Sequence, residues 1–421
     1  MYFKQEIQGT IIDKSIYEAS FVQAQTALEA LKKEFQEQKL PFFSLLADDQ
    51  DLVSLQPLVD KFQKFETVVV LGTGGSSLGG QTLCELKQTK FSKRQQGPQV
   101  HFMDNIDPYT FKEFFQSVSL ETTGFIVISK SGSTAETLCQ FLVVLEAFQE
   151  RGLKSQCQDH FIVITEPKAS PLRSLADQYS LPCLDHPLTI GGRFSVFSVV
   201  GSLPALIAGI DVKKVRQGAL TLVSETLNAP LKSSVALMAA SLRTFEQEKS
   251  INSYVFMPYI DRLYSLSLWF RQLWAESLGK EGKGILPAHA SGTVDQHSQL
   301  QLYLQGPKDK FFTLVCLNYK KQGRKVNADS HDKRLDYLYN KTMGDLLVAE
   351  QNATLKSLVN QGCVVRTLHL EQLNEEVLGA LLAELMLETL LMAKLMAINP
   401  FDQPAVEESK ILTRHYLKEA S

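Results

Sequence analysis

The sequence predicts an α/β protein of two lobes, each a parallel sheet with helices packed on it. Three observations carry this. Apolar, β-branched runs alternate with helical stretches at the spacing of βαβ units. Four runs, "TVVVLGTGGSSLGG" (67–80), "VHFMDNID" (100–107), "FIVISKSGS" (125–133) and "HFIVITEP" (160–167), form a first series and end in turn chemistry. A second series starts at "SYVFMPY" (253–259) and continues through "LQLYLQGP" (300–307), "FFTLVCLNY" (311–319) and "CVVRTLHL" (363–370), all read as strands.

The remaining elements follow in chain order. Tyr17, Phe21, Ala24, Leu28, Leu31 and Phe35 are spaced 4, 3, 4, 3, 4, which lays one apolar stripe along a helix ending near Pro41. Thr134 to Glu150 reads as a helix, and "STAE" (133–136) fits a capping box with Ser133 as cap and Glu136 reaching back. Ala219 to Glu248 reads as helix. The charged stretch 320–334 reads as a solvated loop. Asn374 to Ala397 reads as a long helix, followed by a turn and a short terminal helix. Val377 to Ile398 is the most apolar region, yet it holds Glu384, Glu388 and Lys394, so a buried helix fits better than a membrane span.

Bulk properties narrow the function classes. A chain of 421 residues holds about two domains and buries a large core without staples. A formal net charge of −3 gives no reason to expect nucleic acid or an anionic membrane as partner. The six cysteines, at 84, 139, 157, 183, 316 and 363, include no CxxC pair, which points to free thiols in a reducing compartment. "MYFKQEIQGT" lacks the charged head and apolar run of a secretory signal. No HxH or HExxH occurs, so no metal site is suggested.

Six segments carry candidate chemistry. "GTGGSSLGG" (72–80) follows a strand, where glycines let the backbone approach an anion. It fails GxGxxG and lacks GK[ST]. "GSSLG" within it matches the GxSxG hydrolase elbow with Ser77 as nucleophile. A plain packing turn stands beside these readings. In the second segment Ser129, Ser131, Ser133, Thr134 and Thr137 crowd nine residues around Lys130 and Gly132. That is more hydroxyl than one helix cap needs, and a phosphate cradle would use the same helix N-terminus. "GGRFSVFS" (191–198) sets Arg193 beside a flexible turn, as an oxyanion partner or as a solvated arginine. In "RQLWAESLGKEGKG" (271–284), Gln272 and Glu276 share a helix face. Either Glu276 pairs with Lys280 on the surface, or it is a partly desolvated base among Trp269, Phe270, Leu273, Trp274 and Leu278. His297 in "SGTVDQHSQLQLYLQGP" (291–307) and Lys410 in "FDQPAVEESK" (401–410) would each pass alone as structural or solvated residues.

Together, and in this order, the six segments resemble the phosphoglucose isomerase family in its shorter bacterial form, from about residue 65 to 412. "GGRFSVFSVVGSLPALIAGID" (191–211) and "GTVDQHSQLQLYLQGP" (292–307) are long, specific matches. The resemblance implies two sugar-isomerase (SIS) lobes, each a doubly wound parallel sheet flanked by helices. The chain then divides into an N-terminal helical segment (1–60), a first lobe (61–225), a second lobe (226–398) and a tail carrying the site lysine (399–421).

The family's roles carry over residue by residue. Ser129, Lys130, Ser131 and Thr134 match the segment that grips the sugar phosphate, with Thr137 nearby. Gly75 and Ser76 match a turn lining the sugar site, which argues against Ser77 as a nucleophile. Glu276 matches the general base, Gln272 a site residue on its face and Gln403 a site glutamine. Arg193 matches the arginine beside the enediolate, and His297 and Lys410 match the ring-opening residues. The implied reaction interconverts glucose 6-phosphate and fructose 6-phosphate through a cis-enediol, in glycolysis and gluconeogenesis, without cofactor or metal. The family's histidine reaches into a neighbouring subunit, which implies a cytoplasmic homodimer with composite sites. Ala405 and Ser409 stand where the family often has glycine, and His289 is unexpected in "LPAHASGT" (286–293). A non-catalytic sugar-phosphate sensor on the same lobes and an isomerase also acting on mannose 6-phosphate are the alternatives.

Overall fold

The structure is a computed structural model, and it describes residues 2–9, 13–88, 97–228, 233–327 and 332–419. The strands, in chain order, are β1 (Phe3–Gln8), β2 (Thr67–Leu71), β3 (Gln99–Met103), β4 (Thr123–Ile128), β5 (Phe161–Thr165), β6 (Cys183–Asp185), β7 (Ser253–Pro258), β8 (Leu286–His289), β9 (Lys310–Leu317) and β10 (Val364–Leu370). They form two sheets. The first runs β3-β2-β4-β5-β6 and is parallel throughout. The second runs β1-β10-β9-β7-β8, parallel except for β1 on the edge.

Strands with helices on both faces read as unbroken apolar runs, and β4 and β5 are buried at every residue. The register sets Val69 of β2 opposite Phe125 of β4. In the first sheet the chain leaves β2 for β3 on one side and then crosses to β4 on the other. The strand order therefore reverses between β2 and β4, which is where doubly wound sheets bind ligands.

The long helix Glu375–Leu395 fills the second lobe and is buried continuously from Val377 to Ala393. Its Glu384 and Glu388 are fully buried and paired with Arg366. Among the described residues, no helix is long and apolar enough to cross a membrane. The helix Val212–Asn228 lies against it at two glycines. A Cβ on Gly218 would stand 1.9 Å from the Glu376 carbonyl oxygen, and one on Gly379 would stand 1.8 Å from that of Val215.

The structure corrects four details. "LQLYLQGP" is a helix, Leu300–Gln305, not a strand. Its period-2 alternation is incidental: Leu302 is exposed, while the Tyr303 ring packs edge-on against Phe312 at 4.9 Å. The helix of 135–150 has Thr134 at its N-cap position with no side-chain cap bond, so Ser133 and Glu136 form no capping box. The helix read over Ala219–Glu248 is two helices, Val212–Asn228 and Ser234–Lys249; residues 229–232 lie outside the described residues. The first residues form β1, an antiparallel edge strand of the second sheet, before the expected helix Lys14–Gln36 begins. Residues 328–331 of the charged loop also lie outside the description.

Candidate active site

Two strand-to-helix turns stand side by side because their strands do. The glycine turn follows β2 and the hydroxyl turn follows β4, its parallel neighbour. In the glycine turn Gly74 has φ +57°, where a side chain would be strained, and a Cβ there would meet Gln272 Nε2 at 2.9 Å. A Cβ on Gly75 would meet the Gly192 carbonyl carbon at 2.2 Å, and Ser195 Oγ donates to the Gly75 carbonyl at 3.3 Å. The two glycine-rich segments therefore touch backbone to backbone. Ser76 completes the turn. Ser77 is fully buried, and its Oγ accepts from Gln81 Nε2 at 2.6 Å. A hydrolase elbow needs that oxygen exposed, which removes the hydrolase reading.

The hydroxyl turn is built around Gly132, at φ +62°, whose Cβ would collide with Ser170 Oγ at 2.1 Å. Ser129 is buried, and its Oγ shares a hydrogen bond with Thr134 Oγ1 at 2.9 Å. Ser131 is exposed and accepts from the Ser133 backbone N–H at 3.3 Å and from Ser133 Oγ at 3.1 Å. Lys130 lies 3.7 Å from Glu166 and is one-third exposed. With no side chain capping the helix, its first N–H groups and the hydroxyls share one rim, a suitable place for an anion.

The second lobe contributes the helix Tyr264–Leu278. Trp269, Phe270, Leu273, Trp274 and Leu278 bury its inner side, as expected. Glu276 and Gln272 face outward together, and Gln272 Nε2 donates to Glu276 Oε1 at 2.9 Å. The alternative Glu276–Lys280 surface pair does not form among the described residues. The helix ends at Leu278, and the chain bends at Gly279, so Lys280 leaves the helical register. Its ammonium instead donates to Asp402 Oδ1 at 2.6 Å and to the Asn399 carbonyl. Gln272 Oε1 is buried and receives no hydrogen bond from the described residues.

Arg193 joins the two lobes. Far from solvated, it is 2% exposed. Its Nε donates to Ser277 Oγ at 3.0 Å, and Nη1 to Glu276 Oε2 at 3.1 Å and Gln403 Oε1 at 2.8 Å. Its Nη2 donates to the carbonyls of Pro400 at 2.5 Å and Asp402 at 3.1 Å. A guanidinium has five N–H donors, so this one is fully occupied. Burial pulls its pKa below the usual arginine value, and Glu276 offsets only part of that.

The structure thus gathers Gly75, Arg193, Gln272, Glu276 and Gln403, with Ser76 beside them. The hydroxyl-turn residues Ser129, Lys130, Ser131 and Thr134 follow the adjacent strand β4. His297 and Lys410 are not joined to this group by any hydrogen bond among the described residues. His297 is exposed after the turn Val294–Gln296. Lys410 lies on the helix Glu407–Glu419 and pairs with Glu407 at 2.6 Å. The described residues of that tail from Phe401 onward are all exposed. His289 has a local partner: its Nδ1 bonds Ser267 Oγ at 2.5 Å, and its ring meets Tyr264 edge-on. Ser409 Oγ donates to the Val406 carbonyl. Sequence reasoning missed Ser277, Lys280 and Asp402; in the sequence only their closeness to Glu276 and Gln403 marks them.

Comparison with known proteins decides the family. The phosphoglucose isomerase family model matches residues 59–421. The chain belongs to the phosphoglucose isomerase family. A glucose-6-phosphate isomerase of Rubrobacter xylanophilus is 39% identical over 82% of this chain and 81% of that one. Another from Thermus thermophilus is 36% identical over 84% of each. A crystal structure of a hypothetical protein, also from Thermus thermophilus, superposes with TM-score 0.87 and 30% identity, covering 98% of this chain and 100% of that one. The crystal structure of a glucose-6-phosphate isomerase from Chlamydia trachomatis shares the fold at TM-score 0.85 and 21% identity, covering 100% and 89%. As in the family, the α/β sheets here are flanked by helices.

Proposed function

We propose that this chain interconverts glucose 6-phosphate and fructose 6-phosphate, with Glu276 moving the proton and Arg193 balancing the charge. Its family membership and its curated relatives named glucose-6-phosphate isomerase support this activity over a silent sensor. The observation that carries the mechanism is the 3.1 Å contact between Glu276 and the buried Arg193.

Ring opening comes first. His297 and Lys410 exchange protons with the anomeric hydroxyl and the ring oxygen. Glu276 then takes the C2 proton of the open-chain aldose; the C–H electron pair forms the C1–C2 double bond while the C1 carbonyl π pair moves onto O1, giving a cis-enediolate. The O2 hydroxyl proton passes to O1, the O2 electron pair forms the C2 carbonyl, and the C1–C2 π pair takes the proton back from the same carboxyl at C1, giving the ketose. When Glu276 takes up the proton it loses its charge, and Arg193 loses the one carboxylate that contacts it directly among the described residues. The charge that develops on the enediolate oxygen replaces it. The field of the fixed cation is present before the reaction starts, which is what makes it effective. Gln272 Oε1, buried without a donor among the described residues, suits a sugar hydroxyl. The phosphate does not react; the turn 129–134 holds it, and its binding energy fixes C1 and C2 against the base.

The exposed His297 and the unburied tail with Lys410 support a homodimer in which each site takes its histidine from the neighbour. Mixing His297→Ala chains with Glu276→Gln chains would then restore one working site in each mixed dimer. Two inactive parents that stay inactive after exchange would rule the composite site out. The activity itself is tested by supplying fructose 6-phosphate, glucose-6-phosphate dehydrogenase and NADP and following NADPH. A rate proportional to protein is expected; no rate with a working coupling enzyme would leave the sensor.

A further inference from the structure

We propose that Lys280 and Asp402 form a latch that positions the Asn399–Gln403 turn, and through it Arg193, for the isomerisation. This rests on the isomerase reading above. Lys280 leaves the end of the helix that carries Glu276 and is 11% exposed. Its ammonium is held between the Asp402 carboxylate and the Asn399 carbonyl. Asp402 is fastened at its second oxygen by Asn399 Nδ2 at 3.1 Å, and the Phe401 N–H donates to Asn399 Oδ1 at 3.1 Å. The turn is thereby knotted around one cation. The bond to Lys280 also holds the Asp402 carboxyl below its ordinary pKa.

What the turn presents gives the latch its purpose. Three of the acceptors on Arg193 come from it: the Pro400 and Asp402 carbonyls and Gln403 Oε1. The other two, Glu276 and Ser277, come from the helix just before Lys280. Lys280 therefore ties together the two segments that aim the guanidinium. Without it, a turn that is largely exposed is held by Arg193 and by the ring of Phe401 against Phe194 and Phe42. The guanidinium could then follow the turn instead of staying opposite Glu276. Lys280 touches no reacting atom in this scheme; it is a positioning residue. The phosphate turn belongs to the other lobe and shares none of these contacts, so substrate affinity should be little affected.

The test measures Lys280→Met, Asp402→Asn, the double variant and Lys280→Arg beside wild type in the coupled assay. Far-UV circular dichroism and thermal melts establish that each is folded. We expect Lys280→Met to lower kcat about 10- to 100-fold with KM changed less than about threefold, since small misplacements of reacting groups cost on this scale. Asp402→Asn added to Lys280→Met should cost less than about twofold more, because the pair acts as one unit. Lys280→Arg should recover most of the rate. A folded Lys280→Met with wild-type kcat, multiplicative losses in the double variant, or a loss confined to melting temperature would overturn the latch. An inactive wild type would sink the isomerase reading and the latch with it. An active wild type beside an unimpaired Lys280→Met would sink the latch alone.

Discussion

Arg193 and Arg366 are both buried arginines bound to glutamates, yet their surroundings differ in charge. Arg366 is fully buried in the second lobe with two carboxylates: Nη1 donates to Glu388 at 2.6 Å and Nη2 to Glu384 at 3.2 Å, both glutamates being fully buried. Burial alone would lower its pKa, but Glu388 and Glu384 outweigh that and raise it. Arg193 has one carboxylate, the partly exposed Glu276; its other acceptors are neutral, and its pKa is lowered. The structural cation has two carboxyl groups against it. The proposed catalytic cation has one direct carboxylate contact among the described residues, Glu276, the group proposed to take up the proton. Charge balance separates the two roles where burial does not.

Breaking the under-supplied arginine should have the largest effect. Arg193→Lys keeps the charge but cannot serve five acceptors at once, and kcat should fall about 10²- to 10³-fold, the usual cost of losing an oxyanion partner. Steady-state assays of the folded variant would show it; a loss under tenfold would contradict the role. Arg366→Met should show the opposite pattern. It strands two buried carboxylates and should cost about 3–5 kcal/mol of stability in urea titrations, while kcat per folded molecule stays near wild type. If Arg366→Met stayed as stable as wild type, the buried network would not be the charged cluster described here. Ser131→Ala removes one hydroxyl from the proposed phosphate rim. It should raise KM about tenfold with kcat nearly unchanged, in line with one hydrogen bond to a charged group; an unchanged KM would place the phosphate elsewhere.

The smallest effect concerns a carboxylate with no cation in direct contact. Asp345 accepts from the backbone N–H groups of Thr342 and Lys321, and these hold its pKa down at about 2. A depressed folded pKa stabilises the fold above the unfolded value of about 4 and loses that contribution as pH falls toward 2. The gap in melting temperature between wild type and Asp345→Asn should be open at pH 7 and narrow between about pH 4 and 2. A gap independent of pH would mean the carboxylate charge is not what these two N–H groups hold.

Most of the first lobe was legible because its signals are local. A β-branched run ending in glycines or hydroxyls marks both a strand and the turn after it, and the sheet order then sets the two turns together. Arg193 and Glu276 became legible through the resemblance of whole motifs. Their contact could not be read, because it joins positions 83 residues apart. The clamp on residues 399–403 was invisible for the same reason: Lys280 looked like a surface partner four residues from Glu276 until the helix end at Leu278 was known. "LQLYLQ" alternates as a strand would, yet the residues that pack on the core are Leu300, Tyr303 and Leu304, at the i, i+3, i+4 spacing of a helix. The edge strand β1 is mostly polar and buries only Phe3, and β8 has four residues, so neither stands out from its surroundings. Ser133 lost the cap position to Thr134 by one residue, a shift no sequence pattern resolves.

The central claim is that Glu276 carries the proton between C2 and C1, and exchange with solvent deuterium tests it most directly. Fructose 6-phosphate is incubated with protein in D2O, and deuterium at C1 and C2 is read by NMR, with wild type and Glu276→Gln compared at equal folded concentration. Wild type should incorporate deuterium while it isomerises, and Glu276→Gln should lose both by about 10²- to 10⁴-fold. A folded Glu276→Gln that still incorporated deuterium within tenfold of wild type would contradict the account.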